Sequence, residues 1–168
     1  SMQTAFTDLE GLRIAVEMEK RGEDFYRRSA KVSKSKETVS LLGRLADDEV
    51  VHAREFERLY DRALQTHENA AEERYDEETS AYLNAVAADI VFSSGLMALR
   101  RTGFENPAAV LEYAIQSEKD SILFYSELAG CAKSAQCRET FLEIARQERG
   151  HLARLVGRLN QIRNTERG

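Results

Sequence analysis

Four glutamates, two histidines and two tyrosines recur in this 168-residue chain at one fixed offset. Ala15-Val16-x-x-Glu19-Lys20, followed by Phe25-Tyr26 and Ala30, is repeated as Ala114-Ile115-x-x-Glu118-Lys119, followed by Phe124-Tyr125 and Ala129. Leu45-Ala46-x-x-Glu49-x-x-His52 is repeated as Ile144-Ala145-x-x-Glu148-x-x-His151. Each residue stands 99 positions from its counterpart. A single Glu-x-x-His in a glutamate-rich chain carries little weight. The same pair twice, at the offset that also relates the Glu/Tyr segments, points to one site built from two copies of a hairpin. The third histidine, His67, lies near a polar helix end and reads as solvent-exposed.

Helical geometry says where these side chains point. Three residues turn about 300°, so Glu49 and His52 share a face, as do Glu148 and His151. Seven residues turn about 700°, which puts Tyr26 two turns beyond Glu19 on one stripe, and Tyr125 beyond Glu118. Each special residue occupies a slot where the seam calls for an apolar side chain. Leu12, Ala15, Glu19, Tyr26 and Ala30 form one seam; Phe141, Ile144, Glu148, His151 and Leu155 form another. Four carboxylates and two imidazoles are therefore expected in the bundle interior. A buried unpaired carboxylate costs several kcal/mol, and no Lys or Arg lies on these seams to neutralise four of them. Two divalent cations would balance the charge, with the imidazoles as neutral ligands. An oxygen-plus-imidazole set suits iron or manganese, and zinc can occupy it too.

The elements that must position these groups are legible as helices. Thr7-Asp8-Leu9-Glu10 reads as a capping box opening a first helix over about 7–31. The polar segment 32–35 is a short loop, and a second helix follows over 36–67. Its seam is Leu42, Leu45, Glu49, His52, Phe56, Leu59 and Ala63, spaced alternately by three and four. The acidic stretch 68–78 has no apolar stripe and reads as a surface connection. A further helix over 79–100 presents Tyr82, Val86, Ile90 and Leu96 or Met97. Asn106-Pro107 is a helix start, with Asn as cap and Pro in the first turn, opening a helix over 107–133. The last runs over 135–163. Short loops after the first and third long helices make antiparallel hairpins, and the long connection with its own helix joins them. A four-helix bundle with one long crossover is the ferritin-like topology, and composition alone leaves a cytokine-like or generic bundle equally open. One Glu from each of two helices plus Glu-x-x-His from each of the others is the di-iron carboxylate pattern. We therefore expect an all-α, single-domain chain over residues 1–168.

Composition narrows the function. One proline in 168 residues argues against a β-sandwich or barrel. Net charge is −5, and basic residues such as Arg27, Arg28, Arg54, Arg58, Arg146 and Arg154 are interleaved with acids, so nucleic acid is not an expected partner. No apolar run is long enough for a membrane span, and the N-terminus lacks a basic-then-apolar signal pattern. Ser1-Met2 reads as an expression remnant. Cys131 and Cys137, with five residues between them, match no zinc or redox motif and fit reduced thiols in a cytoplasmic protein.

The doubled Glu-(six)-Tyr and Glu-x-x-His motifs resemble those of the rubrerythrin branch of the ferritin-like superfamily, over about residues 7–163. The resemblance implies two iron ions, with Glu19 and Glu118 as terminal ligands, Glu49 and Glu148 bridging, and His52 and His151 binding one ion each. Tyr26 and Tyr125 match tyrosines that hydrogen-bond ligating carboxylates. It also implies reduction of hydrogen peroxide to water. Two departures stand out. Rubrerythrins usually carry a C-terminal rubredoxin domain with paired Cys-x-x-Cys motifs, which this sequence does not contain, so electrons are expected from a separate donor such as a rubredoxin or from a longer native chain. Rubrerythrins also resemble Glu-x-x-Glu where this chain has Glu118 followed by Ser121, and that weakens the peroxidase reading in favour of a ferroxidase acting on Fe(II) with dioxygen.

Plainer readings exist for each feature. Tyr26 and Tyr125 could simply fill the core, and metal could serve only to hold helices together, which predicts bound zinc and no turnover. Glu17, Glu23, Asp47, Asp48, Glu112 and Asp120 fall off the seams and read as solvated. The elongated bundle is expected to form a homodimer, and the long crossover would permit exchange of hairpins between subunits.

Overall fold

The computed structural model describes residues 5–67, 69–91, 99, 101 and 103–167. The described residues form helices α1 (Asp8–Val32), α2 (Lys36–Gln65), α3 (Asn69–Glu72), α4 (Glu77–Val91), α5 (Pro107–Cys131) and α6 (Ala135–Arg167), and no strand. The expected starts hold for physical reasons. Thr7 is extended and its hydroxyl accepts from Glu10 N at 3.1 Å, while the Glu10 carboxylate turns to Arg13, so half of the capping box forms. Asn106 accepts from Ala109 N at 3.2 Å with Pro107 in the first turn. No helix among the described residues is long and apolar enough to cross a membrane.

α1 pairs along its length with α2, and α5 with α6; the two hairpins meet through α2 against α6 and α1 against α5. α4 lies on α5 and α3 on α1. The core is split in two. One apolar half gathers Leu12, Ala15, Phe56, Phe124, Tyr125, Leu128, Phe141 and Ile144; the other gathers Phe25, Tyr26, Leu42, Leu45, Leu111, Ala114, Leu155 and Leu159. Every long helix contributes to both halves and crosses between them at its Glu or Glu-x-x-His segment. The 99-residue offset exchanges the halves: Leu12 belongs to one and Leu111 to the other, as do Phe124 and Phe25. The bundle thus has an approximate twofold axis, and the polar layer lies on it.

Several boundaries differ from expectation: α4 opens at Glu77 and α5 closes at Cys131, and two helix ends and the middle connection have identifiable causes or contents. α2 stops at Gln65, because the Thr66 hydroxyl takes the Arg62 carbonyl at 2.8 Å and His67 turns left-handed at φ 50°. His67 is exposed, as read from sequence. α6 continues to Arg167. The connection over 68–78 is more than solvated chain: it holds α3 and buries Ala71 and Tyr75. Tyr75 stacks on Phe6 at 5.9 Å, and its hydroxyl donates to the buried Asp8 carboxylate. Asp8 also accepts from Ser134 N at 2.8 Å and Lys133 N at 3.1 Å, tying the start of α1 to the start of α6. One aromatic within an acidic run makes no stripe, so periodicity could not reveal it. On α4 the buried face is Ser80, Leu83 and Ala87, with Val86 and Ile90 half-buried, and Tyr82 faces out at 45% exposure. Leu96 and Met97 lie outside the described residues.

Candidate metal centre

All six of the expected ligating side chains meet between the two core halves, and none is more than 4% exposed. Glu19 comes from α1, Glu49 and His52 from α2, Glu118 from α5, and Glu148 and His151 from α6. They form two overlapping groups whose donor atoms lie within 4.8 Å of one another. One is Glu19, Glu49, His52 and Glu148; the other is Glu49, Glu118, Glu148 and His151. Glu49 and Glu148 belong to both.

The imidazoles turn Nδ1 inward. His52 Nδ1 lies 2.9 Å from Glu148 Oε1, 3.5 Å from Glu19 Oε1 and 3.6 Å from Glu49 Oε1. His151 Nδ1 lies 3.2 Å from Glu49, 3.4 Å from Glu148 and 3.5 Å from Glu118, in each case to Oε1. The two rings stand nearly parallel, 5.6 Å apart. Their outer nitrogens are held from behind: His52 Nε2 contacts Gln147 Oε1 at 2.7 Å, and His151 Nε2 contacts Asp48 Oδ2 at 3.0 Å. With Nε2–H donating outward, Nδ1 presents its lone pair to the centre, as a metal-binding imidazole must.

Tyrosines cross the axis. The Tyr26 hydroxyl of α1 donates to Glu118 Oε1 of α5, and the Tyr125 hydroxyl of α5 donates to Glu19 Oε1 of α1 at 3.1 Å. Each leaves the other carboxylate oxygen of its partner free. Burial, then the facing glutamates, raises both phenols well above their usual range, so they stay protonated and donate.

The donor chemistry fits cations. Among the described residues, eight buried side-chain polar atoms lack a hydrogen-bond partner, and seven belong to this cluster: Glu19 Oε2, Glu49 Oε1, Glu118 Oε2, both oxygens of Glu148, and the two Nδ1 atoms. So many orphaned acceptors in a dry layer would each cost about 1–3 kcal/mol unless a ligand takes them up. Left to protons, the cluster can neutralise itself only by shifting its own acidities. Burial, then Glu19 and Glu148, pushes Glu49 well up; burial, then Glu148, pushes Glu118 up to about 8. Burial opposes charge on His52, but Glu148 and Glu19 outweigh it and raise its pKa to about 11. His151 rises to about 9, with burial outweighed by Glu118 and Glu148. Protons thus stand in for positive charge that the layer lacks.

Comparison with known proteins agrees with this geometry. A family model described as Rubrerythrin matches residues 109–167, the α5–α6 hairpin that carries Glu118, Tyr125, Glu148 and His151. The whole fold is shared with a crystal structure from Thermotoga maritima whose protein is described as ferritin-like and diiron-carboxylate, at TM-score 0.71 and 26% identity, over 95% of this chain and 98% of that one. The second hairpin is similar to the rubrerythrin family, and the fold is ferritin-like. No curated protein matches the sequence.

Three contributors to the site were not evident from the sequence pattern. Asp48 reads as solvated by its position off the seam, yet it holds the outer nitrogen of His151. Gln147 does the same for His52. The signal was available, because Asp48 and Gln147 are themselves 99 positions apart, but their types differ and a search for identities passes over them. Gly22 is the third. A Cβ there would sit 2.8 Å from Glu49 Oε2, so the bare backbone of α1 makes room for that carboxylate. Its counterpart at the same offset is the half-buried Ser121. The remaining acids read as solvated, Glu17, Glu23, Asp47, Glu112 and Asp120, are exposed or half-buried and lie outside both groups.

Proposed function

We propose that the protein is a di-iron carboxylate oxidoreductase, with Glu19, Glu49, His52 and Glu148 holding one ion and Glu49, Glu118, Glu148 and His151 the other. The observation that carries this reading is the pair of overlapping ligand sets sharing Glu49 and Glu148. The Thermotoga maritima relative, described as a diiron-carboxylate protein, supports it. Iron bound in this layer would supply one electron per ion to an O–O bond. The chain's own part is to hold the geometry. Tyr26 and Tyr125 fix one oxygen of each terminal glutamate, Asp48 and Gln147 fix the imidazole planes, and the two apolar core halves exclude water.

The substrate we assign is hydrogen peroxide, reduced to two waters with two electrons and two protons, the electrons coming from a separate donor such as a rubredoxin. This rests on the match of the second hairpin to the rubrerythrin family. Ser121 favours the second reading, a ferroxidase with Fe(II) as substrate, since a hydroxyl cannot replace the carboxylate that rubrerythrins have three residues after the matching glutamate. A reducing, cytoplasmic setting fits Cys131 and Cys137 as thiols, and a homodimer belongs to the same reading. The test is anaerobic loading with two equivalents of Fe(II), then oxidation by peroxide or by dioxygen, followed in the near ultraviolet. Much faster oxidation by peroxide supports the reductase. Comparable rates with dioxygen, and iron uptake beyond two per chain, make it a ferroxidase. No oxidation by either overturns both.

A further inference from the structure

We propose that the two ion positions are unequal, and that the position formed by Glu118 and His151, with Asp48 behind it, fills first. This rests on the metal-centre reading above and adds an order to it. The repeat makes the two positions nearly equivalent: Glu19 answers Glu118, Glu49 answers Glu148, His52 answers His151, and Tyr26 answers Tyr125. Both imidazoles are held at Nε2 by the residue that precedes a bridging glutamate on the opposite hairpin. There the symmetry breaks. His151 donates to a carboxylate, Asp48 Oδ2, at 3.0 Å, whereas His52 donates to an amide oxygen, Gln147 Oε1, at 2.7 Å. The amide is oriented, since Gln147 Nε2 donates to Glu143 Oε1 at 3.0 Å, which keeps its oxygen on the histidine.

A carboxylate behind an imidazole concentrates negative charge on the ring and makes its inward nitrogen the better donor; a neutral amide orients the ring but adds only a dipole. Asp48 is half-exposed, so water screens part of this effect, while the six ligands themselves are buried and feel each other in full. Changes to such outer partners shift metal affinity by about 10–100-fold. Two ions entering positions matched in their own ligands should therefore bind in two resolved steps. Asp48 is a positioning residue here: it acts through His151.

Zinc provides a redox-silent probe. Calorimetric titration of the metal-free protein with Zn(II) should give two steps separated by roughly tenfold or more. Crystals grown with one equivalent should show the anomalous peak beside His151. Asp48→Asn should weaken the tighter step by roughly tenfold or more and leave the weaker one in place. Residue 48 is half-exposed, and an unchanged helical circular-dichroism spectrum without metal checks that the variant is folded. The exchanged pair Asp48→Gln/Gln147→Asp should move the first peak to His52, an outcome that a merely structural role for Asp48 would not produce. Equal occupancy at one equivalent, or two steps unchanged by Asp48→Asn, overturns the proposal while leaving the metal centre intact. A wild-type protein that binds no zinc and no Fe(II) overturns the centre itself.

Discussion

Replacing Gly22 by alanine adds one methyl group and tests whether the α1 backbone shapes the position of Glu49. The new Cβ would lie 2.8 Å from Glu49 Oε2, and ordinary contact begins near 3.4 Å, so the carboxylate must retreat by about 0.6 Å. It cannot do so freely, because Glu49 Oε1 faces His151 Nδ1 at 3.2 Å. Two effects then oppose one another in the metal-free protein. Alanine in a helix interior is favoured over glycine by about 1 kcal/mol, whereas overpacking a filled site costs about 1–3 kcal/mol. The net change is a loss of no more than about 2 kcal/mol. The metal-bound state suffers more, since Glu49 belongs to both ligand groups. At a Zn(II) concentration 100 times Kd the wild type gains about 2.7 kcal/mol from binding, and a tenfold weaker site keeps only about 1.4 kcal/mol of that. The assay is urea denaturation with and without Zn(II). Gly43→Ala on α2 is the control, since its Cβ would meet nothing within 4 Å and isolates helix propensity. If Gly22→Ala kept the full metal-dependent gain, the close approach would have no bearing on Glu49, and the reasoning would fail.

Four further outcomes follow from the same geometry. Tyr26→Phe or Tyr125→Phe should each destabilise the metal-free protein by about 1–3 kcal/mol, because a buried carboxylate loses its donor; denaturation midpoints check this. Asp8→Ala should cost about 3 kcal/mol, since it strips the acceptor from Tyr75 and from two backbone N–H groups, and hydrogen exchange at the start of α6 should accelerate. The metal-free protein should lose stability as pH rises: His151 is raised from 6.5 to about 9, so its contribution is complete below pH 6.5 and gone above 9. Glu118, raised from 4.5 to about 8, works in the same direction; a melting temperature that climbs between pH 6.5 and 9 would contradict both. Ser121→Glu should raise the ratio of peroxide to dioxygen oxidation rates in the Fe(II)-loaded protein, and an unchanged ratio in stopped flow would remove the weight placed on that residue.

The long helices and their inward faces were legible because the bundle asks one thing of each seam, an apolar residue every three or four positions. A glutamate or histidine in that slot announces itself. The duplication made the announcement louder, since Glu49 and His52 could be checked against Glu148 and His151. What escaped notice depends on contacts between segments distant in sequence. Tyr75 is buried because Phe6 and Asp8 happen to face it, and nothing within 68–78 encodes those partners. Asp48 lies half-exposed one position before a ligand, and only the approach of α6 turns it toward His151. The buried face of α4 fell on Leu83 rather than Tyr82, because a short amphipathic stretch leaves its rotation to the helix it packs on.

The approximate twofold axis has a consequence for what such a site can become. Two separate, identical hairpins meeting on an axis would be bound to build a centre with equal halves, since any change would appear on both sides at once. Carrying both hairpins in one polypeptide removes that obligation. Each copy still has to supply its glutamates, histidine and cross-axis tyrosine, but every other position can drift alone. Gly22 against Ser121, and Asp48 against Gln147, are two pairs in which this chain has used that freedom, and Gly22, Asp48 and Gln147 each contact a ligand. Covalent linkage, in this light, is what allows the two sides of the layer to differ.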